Sequence, residues 1–183
     1  MRSAFYVLIS AIASTAAFAQ QPPVDLPPQQ ASPSFQDAKN RPTEAQARRL
    51  VERTYAYFAA KDAGRFADAY STFSATQKQT VPFDGWKAQL ENFYRAAGSV
   101  QGRKIQKITW YKDPPNTQPG IYAAVDFTGQ FPNLSLYCGF VAWRQQDDGA
   151  LEIVREEANS IEKSVAERMT PEMMQRARNQ FRC

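Results

Sequence analysis

Few residues in this chain have the type and spacing that chemistry needs. The sharpest is Asp126, a carboxylate inside the apolar run Ile121 to Phe127, with Tyr122 four residues back and so on the same face of a strand. A carboxylate base beside a tyrosine hydrogen-bond donor in an apolar cavity can move a proton at carbon without a cofactor, so the pair suggests an isomerase or hydratase. Parity opposes that reading. Ile121, Ala123, Val125 and Phe127 form the more apolar face and should look inward, which sends Asp126 and Tyr122 to the opposite side. A surface carboxylate, or one paired with a lysine or arginine of a neighbouring strand, is the plainer account.

The chain has no histidine, which removes the commonest zinc ligand, the usual general base and the physiological pH switch together. No metal and no cofactor are expected. The two cysteines, Cys138 and Cys183, make a poor tetrahedral set without histidine partners. As a disulfide they would pin the C-terminal segment to the sheet and stabilise by about 4 kcal/mol on the loop-entropy account. Two free thiols or an intermolecular bridge are the alternatives.

The compartment is written in the first nineteen residues. Met1-Arg2 leads into an apolar run from Ala4 to Ala13 and then Ala17-Phe18-Ala19, the pattern of a secretory signal peptide (1–19) with cleavage between Ala19 and Gln20. The run is shorter than the roughly 20 residues that span a bilayer, and no later stretch is long enough, so no transmembrane segment is expected. With Gln20 rather than cysteine at the cleavage point, soluble export to the periplasm or beyond is the expectation. An oxidising periplasm would favour pairing of the cysteines.

Net charge is +4, short of the concentrated lysine and arginine that phosphate neutralisation demands, and nucleic acid is not expected as a partner. Arg48, Arg49 and Arg53 on the first helix, and Arg168, Arg176, Arg178 and Arg182 near the C-terminus, could make weak contact with anionic envelope surfaces. Solvated helix faces with interspersed Glu52, Glu167 and Glu172 are the alternative.

The elements that must position these residues follow from periodicity. Residues 20–42 carry Pro22, Pro23, Pro27, Pro28 and Pro33 among glutamines and read as a disordered linker. Thr43 and Gln46 form a capping box, and Ala47, Leu50, Val51, Thr54, Tyr55 and Phe58 follow helical spacing up to Gly64. A second short helix carries Phe66, Ala69, Tyr70 and Phe73; a third starts at Asp84, shows Trp86, Leu90, Phe93, Tyr94 and Ala97, and stops at Gly98. Four strands follow, over 103–111, 120–129, 134–144 and 150–157, separated by turn-forming clusters whose shortness implies antiparallel neighbours. The strand 134–144 is apolar on both parities, so something must cover its second face. Thr170-Pro171 starts a C-terminal helix with Met173, Met174, Ala177 and Phe181 in a stripe that can do so. The expected fold class is α+β: three N-terminal helices packed on a curved four-stranded antiparallel sheet over 43–160, with a C-terminal helical extension over 161–183.

Helices first and a curved antiparallel sheet after is the order of the cone-shaped fold of nuclear transport factor 2 and ketosteroid isomerase. The segments Asp62-Ala63-Gly64-Arg65-Phe66, Trp86 with Leu90, Arg95 to Val100 with Arg103, Tyr122 to Thr128, and Phe131-Pro132-Asn133 resemble the bacterial domain of unknown function 4019. That resemblance covers about Leu50 to Arg155 and implies an exported single domain with no established activity or catalytic residue. It departs after Asp147-Asp148-Gly149, where Leu-Glu-Ile-Val-Arg-Glu-Glu stands in place of a tryptophan followed by an aromatic ending. The expected function is a non-enzymatic periplasmic module binding a small apolar ligand or a protein partner. A cofactor-free enzyme using Asp126 and an envelope protein binding through its proline-rich arm are the alternatives. Tyr55, Trp86, Tyr94, Trp110, Tyr137 and Trp143 are candidate pocket residues, with core packing the competing account.

Overall fold

The computed structural model describes residues 25–35 and 41–183. The signal-peptide reading, with Ala19 and Gln20, lies outside the described residues, as do parts of the linker reading. In chain order the elements are β1 (Gln29–Ala31), α1 (Glu44–Asp62), α2 (Phe66–Ser71), α3 (Ala75–Thr80), α4 (Phe83–Ala97), β2 (Gly102–Lys112), β3 (Ile121–Gln130), β4 (Leu134–Gln145), β5 (Leu151–Glu162), α5 (Lys163–Ala166) and α6 (Pro171–Phe181). The strands form one sheet in the order β1-β2-β3-β4-β5. β1 runs parallel to β2 and the other pairs are antiparallel.

Three helices over a four-stranded antiparallel sheet is therefore wrong: the sheet is five-stranded and mixed, and the described residues form six helices. The extra strand comes from the proline-rich stretch read as linker. Pro28 accepts from the Ile108 amide at 3.0 Å and Ser32 donates to Trp110 at 2.9 Å, while the buried Phe35 and half-buried Leu26 anchor its two ends on the core. All three residues of β1 are exposed, so no alternation betrays the strand, and its prolines flank the paired residues instead of interrupting them. The extra N-terminal helix arises because residues 66–80 break at Thr72-Phe73-Ser74. There the chain exchanges bonds with β5, Ile153 N to Thr72 O at 2.8 Å and Ser74 N to Ile153 O at 2.9 Å. Ser74 then restarts the helix by accepting from the Gln77 amide.

Other local signals act as elementary rules require. Thr43 accepts from the Gln46 amide and the Gln46 side chain accepts from the Thr43 amide, closing the capping box of α1. Gly98, at φ 84°, ends α4 in a conformation that side chains rarely adopt, tight against Pro132. Helices α1, α2 and α4 pack on one face of the sheet. Leu50, Phe58 and Phe73 meet Ile108, Val125, Phe127, Val141, Trp143 and Ile153 there, all at most 2% exposed. Each such large side chain contributes about 1.5–3 kcal/mol by leaving water. On the other face Leu136, Cys138 and Ile161 form a smaller buried set. Cys183, just past α6, sits at disulfide-bonding distance from Cys138, Cα to Cα 5.7 Å. Because α6 has no fully buried side chain, that pairing is its firmest tie to the sheet.

Candidate functional site

The last two turns of α1 place two side chains where sequence periodicity alone puts apolar ones. Tyr57 and Lys61 lie at i and i+4, on the stripe that carries Leu50, Thr54 and Phe58 into the core. Both reach Glu156 of β5: Lys61 Nζ donates to Oε1 at 2.5 Å, and Tyr57 Oη donates to Oε2 at 2.5 Å. Glu156 faces the helices because of a bulge. β4 pairs Trp143 with Ile153 but Ala142 with Arg155, so Val154 is an extra residue. Without it, parity would aim Arg155 and Glu157 inward; with it, Glu156, Ala158 and Ser160 follow Ile153 on the helix-facing side. Gly139 lets β5 run close at this point, since a side chain there would strike the Glu157 carbonyl.

Lys61 is 2% and Glu156 12% exposed at the side chain. Burial, the adjacent Glu156 charge and the hydrogen bond to it hold the Tyr57 hydroxyl well above its ordinary pKa, so it remains a donor. The ion pair forms the floor of a cavity of about 310 Å³ between α3–α4 and the exposed end of β5, at the small end of the ordinary range for ligand sites. Phe73, Val81, Trp86, Leu90, Phe93 and Tyr137 supply apolar walls; Gln77, Gln89 and Ser160 supply polar edges. An ammonium group has three donors, and Lys61 makes one hydrogen bond among the described residues. The arrangement can therefore hold an apolar body against aromatic walls and offer both donors and a carboxylate acceptor at its base.

A second buried cluster lies one residue along. Arg103 of β2 grips Asp62 with two parallel bonds, Nε to Oδ2 and Nη2 to Oδ1, each 2.7 Å, and Tyr94 donates to Oδ1 at 2.6 Å. The guanidinium carbon lies 4.7 Å from the ring centre of Phe58, with Phe131 and Tyr137 at 5.6 and 5.5 Å. Its Nη1 has no hydrogen-bond partner among the described residues. Burial works against the Arg103 charge, but the Asp62 bonds outweigh it and leave its pKa raised. Burial and the Asp62 hydrogen bond likewise raise Tyr94.

The residues singled out from sequence fall elsewhere. Asp126 sits away from the cavity and meets Lys107 of the neighbouring strand at 3.3 Å, the two side chains 34% and 42% exposed. Tyr122 shares that side and donates to the Gln118 carbonyl at 2.7 Å, and neither residue lines the cavity above Lys61 and Glu156. Of the aromatic candidates, Trp86 and Tyr137 line the cavity, Tyr55 borders a shallow depression beside Asp62, Tyr94 serves Asp62, and Trp110 and Trp143 are core. Arg48 pairs with Glu44 at 2.8 Å on the helix surface. Among the described residues no group of three or more potential ligands could hold a metal ion, and no helix is long and apolar enough to cross a membrane. Sequence reasoning missed Lys61 and Tyr57, whose signal was a lysine four residues beyond a tyrosine on an apolar stripe, and missed Glu156, which gave none.

No curated protein and no solved structure matches the chain. A family model does match, over residues 53–155, a window that takes in Lys61, Asp62, Tyr94 and Arg103 and stops beside Glu156. More than half of the 183 residues fall within it, and the chain belongs to the family described as protein of unknown function, DUF4019.

Proposed function

We propose that this protein is an exported periplasmic module that binds a small, largely apolar ligand in the cavity between α4 and β5. The observation that carries the reading is the pairing of aromatic walls with a buried ion pair at the floor. A buried polar floor costs desolvation unless it is satisfied, and here a donor remains to be used. Export draws on the leader-like residues 1–19 and on cysteines close enough to bond, a pairing that suits an oxidising compartment.

The test is native mass spectrometry of protein released gently from the periplasm. The expected species starts at Gln20, weighs a pair of hydrogens less than the dithiol form, and carries a small-molecule adduct. Ala158 is exposed on the cavity's strand floor, so Ala158→Leu should fill the space without touching the core and weaken adduct retention by about tenfold or more, about 1.4 kcal/mol or more. An adduct that survives Ala158→Leu would move the ligand to another surface, and protein found only in the cytoplasm would end the export reading.

A further inference from the structure

The charges around this cavity restrict what can enter it. Resting on the ligand-binding reading above, we propose that the ligand is uncharged where it meets the floor, and that it presents an acceptor and a donor side by side there, as a primary amide does. Among the residues that line the cavity only Lys61 and Glu156 carry charge, and they are each other's partner at 2.5 Å. An anionic group drawn to the Lys61 ammonium would sit against the Glu156 carboxylate, and a cationic group drawn to Glu156 would sit against Lys61. The pair cancels, so either kind of ion would give up its hydration without a net counter-charge.

A neutral group faces no such conflict and finds two complementary sites. Lys61 has donors beyond the one spent on Glu156. The two oxygens of Glu156 each accept one bond, from Lys61 and from Tyr57, about half of a carboxylate's accepting capacity. An amide carbonyl can take a Lys61 N–H while its NH2 group donates to Glu156. Trp86, Phe93 and Tyr137 then face the remainder of the molecule, which favours a flat ring. Discrimination by such a floor is steep, because a ligand that lacks the polar group leaves buried donors and acceptors unanswered.

The test uses three probes with one ring and different charge, benzamide, benzoate and benzylammonium, titrated against the amide-labelled full chain by NMR. Glu156→Gln keeps the shape, its amide oxygen can still accept from Lys61 and its NH2 group can donate to the Tyr57 oxygen, while the one negative charge in the cavity is removed. The amide spectrum of the variant shows whether the fold survives loss of the ion pair. In the wild type benzamide is expected to bind at least about tenfold more tightly than either ion, shifting the amides of Leu90, Ala158 and Ser160. In Glu156→Gln the order should invert in favour of benzoate by about tenfold. Should benzoate or benzylammonium win in the wild type while shifting those amides, the neutral class is overturned and the cavity remains a binding site. Should the order not change in Glu156→Gln, the floor does not select charge and the proposal fails. Should no probe shift those amides, the ligand-binding reading falls with it.

Discussion

Lys61 and Asp62 are neighbours at the end of α1, and each buries its charge against a strand and a tyrosine. Asp62 meets the Arg103 fork and the Tyr94 hydroxyl; Lys61 meets Glu156, which Tyr57 also serves. The partners differ in geometry. A guanidinium is a rigid planar fork that matches a carboxylate with two bonds at once, whereas an ammonium is a point charge with rotatable donors. Around Arg103 three aromatic rings close over the fork, including the Nη1 that has no hydrogen-bond partner among the described residues. Lys61 and Glu156 line the cavity beneath its aromatic walls, whereas Arg103 and Asp62 line the shallow depression on the other side of α1's end. One cluster is a clasp that fastens the end of α1 to β2 and α4 with a two-bond fork, and the other fastens α1 to β5 with a single ammonium bond at the lining of the cavity. The lesson is that burial of a charged pair does not by itself mark function; what the pair leaves unused, and where that faces, does.

The strongest way to break this contrast is to remove each cation. Arg103→Met should cost about 3–5 kcal/mol in urea unfolding, since it strands Asp62 without its partner. Lys61→Met should fall at or below the lower end of that range, because it takes one charge-assisted hydrogen bond from Glu156 where Arg103→Met takes two from Asp62. A costlier Lys61 change would make that pair the structural clasp. The tyrosines sharpen the comparison. Tyr57→Phe takes away the one donor to Glu156 Oε2 among the described residues and should cost about 1.5–3 kcal/mol. Tyr94→Phe should cost about half as much, because Arg103 still donates to the same Asp62 oxygen.

The smallest effect is alkaline. The Tyr57 pKa is raised in the folded protein, while an unfolded tyrosine releases its proton near pH 10. Above that pH the unfolded chain holds fewer protons than the folded one, so the stability contribution is full below about pH 10 and declines as pH climbs further, by at most about 1.4 kcal/mol per pH unit for one such group. Melting temperature between about pH 9 and pH 11 should fall less steeply in Tyr57→Phe than in the wild type. Equal slopes would mean that Tyr57 does not carry the shift.

Short-range rules could be read directly. The Thr43–Gln46 capping box, the stop at Gly98, the start of α6 behind Thr170 and the four longer strands each depend on residues within a few positions of one another. The candidate site was legible in half. Lys61 continues a visible apolar stripe on α1, so its type and place could have raised the question of a partner. Glu156 could not be found, since its direction depends on the bulge at Val154, and that irregularity exists only in the pairing of β5 with β4. β1 escaped for a related reason: its three exposed residues have no pattern of their own, and the strand exists because β2 offers an open edge.

By themselves the residues determined the longer helices and the four longer strands, through caps, turn residues and periodicity, and they excluded histidine chemistry outright. Only the tertiary structure decided that the proline-rich arm would pair with the sheet, that residues 66–80 would break to meet β5, and that a lysine, a tyrosine and a glutamate 95 positions beyond the lysine would meet beneath a cavity. Local conformation follows from forces between near neighbours along the chain. The register of one strand against another is a property of the pair, and a single extra residue in one of them reverses which side chains face inward.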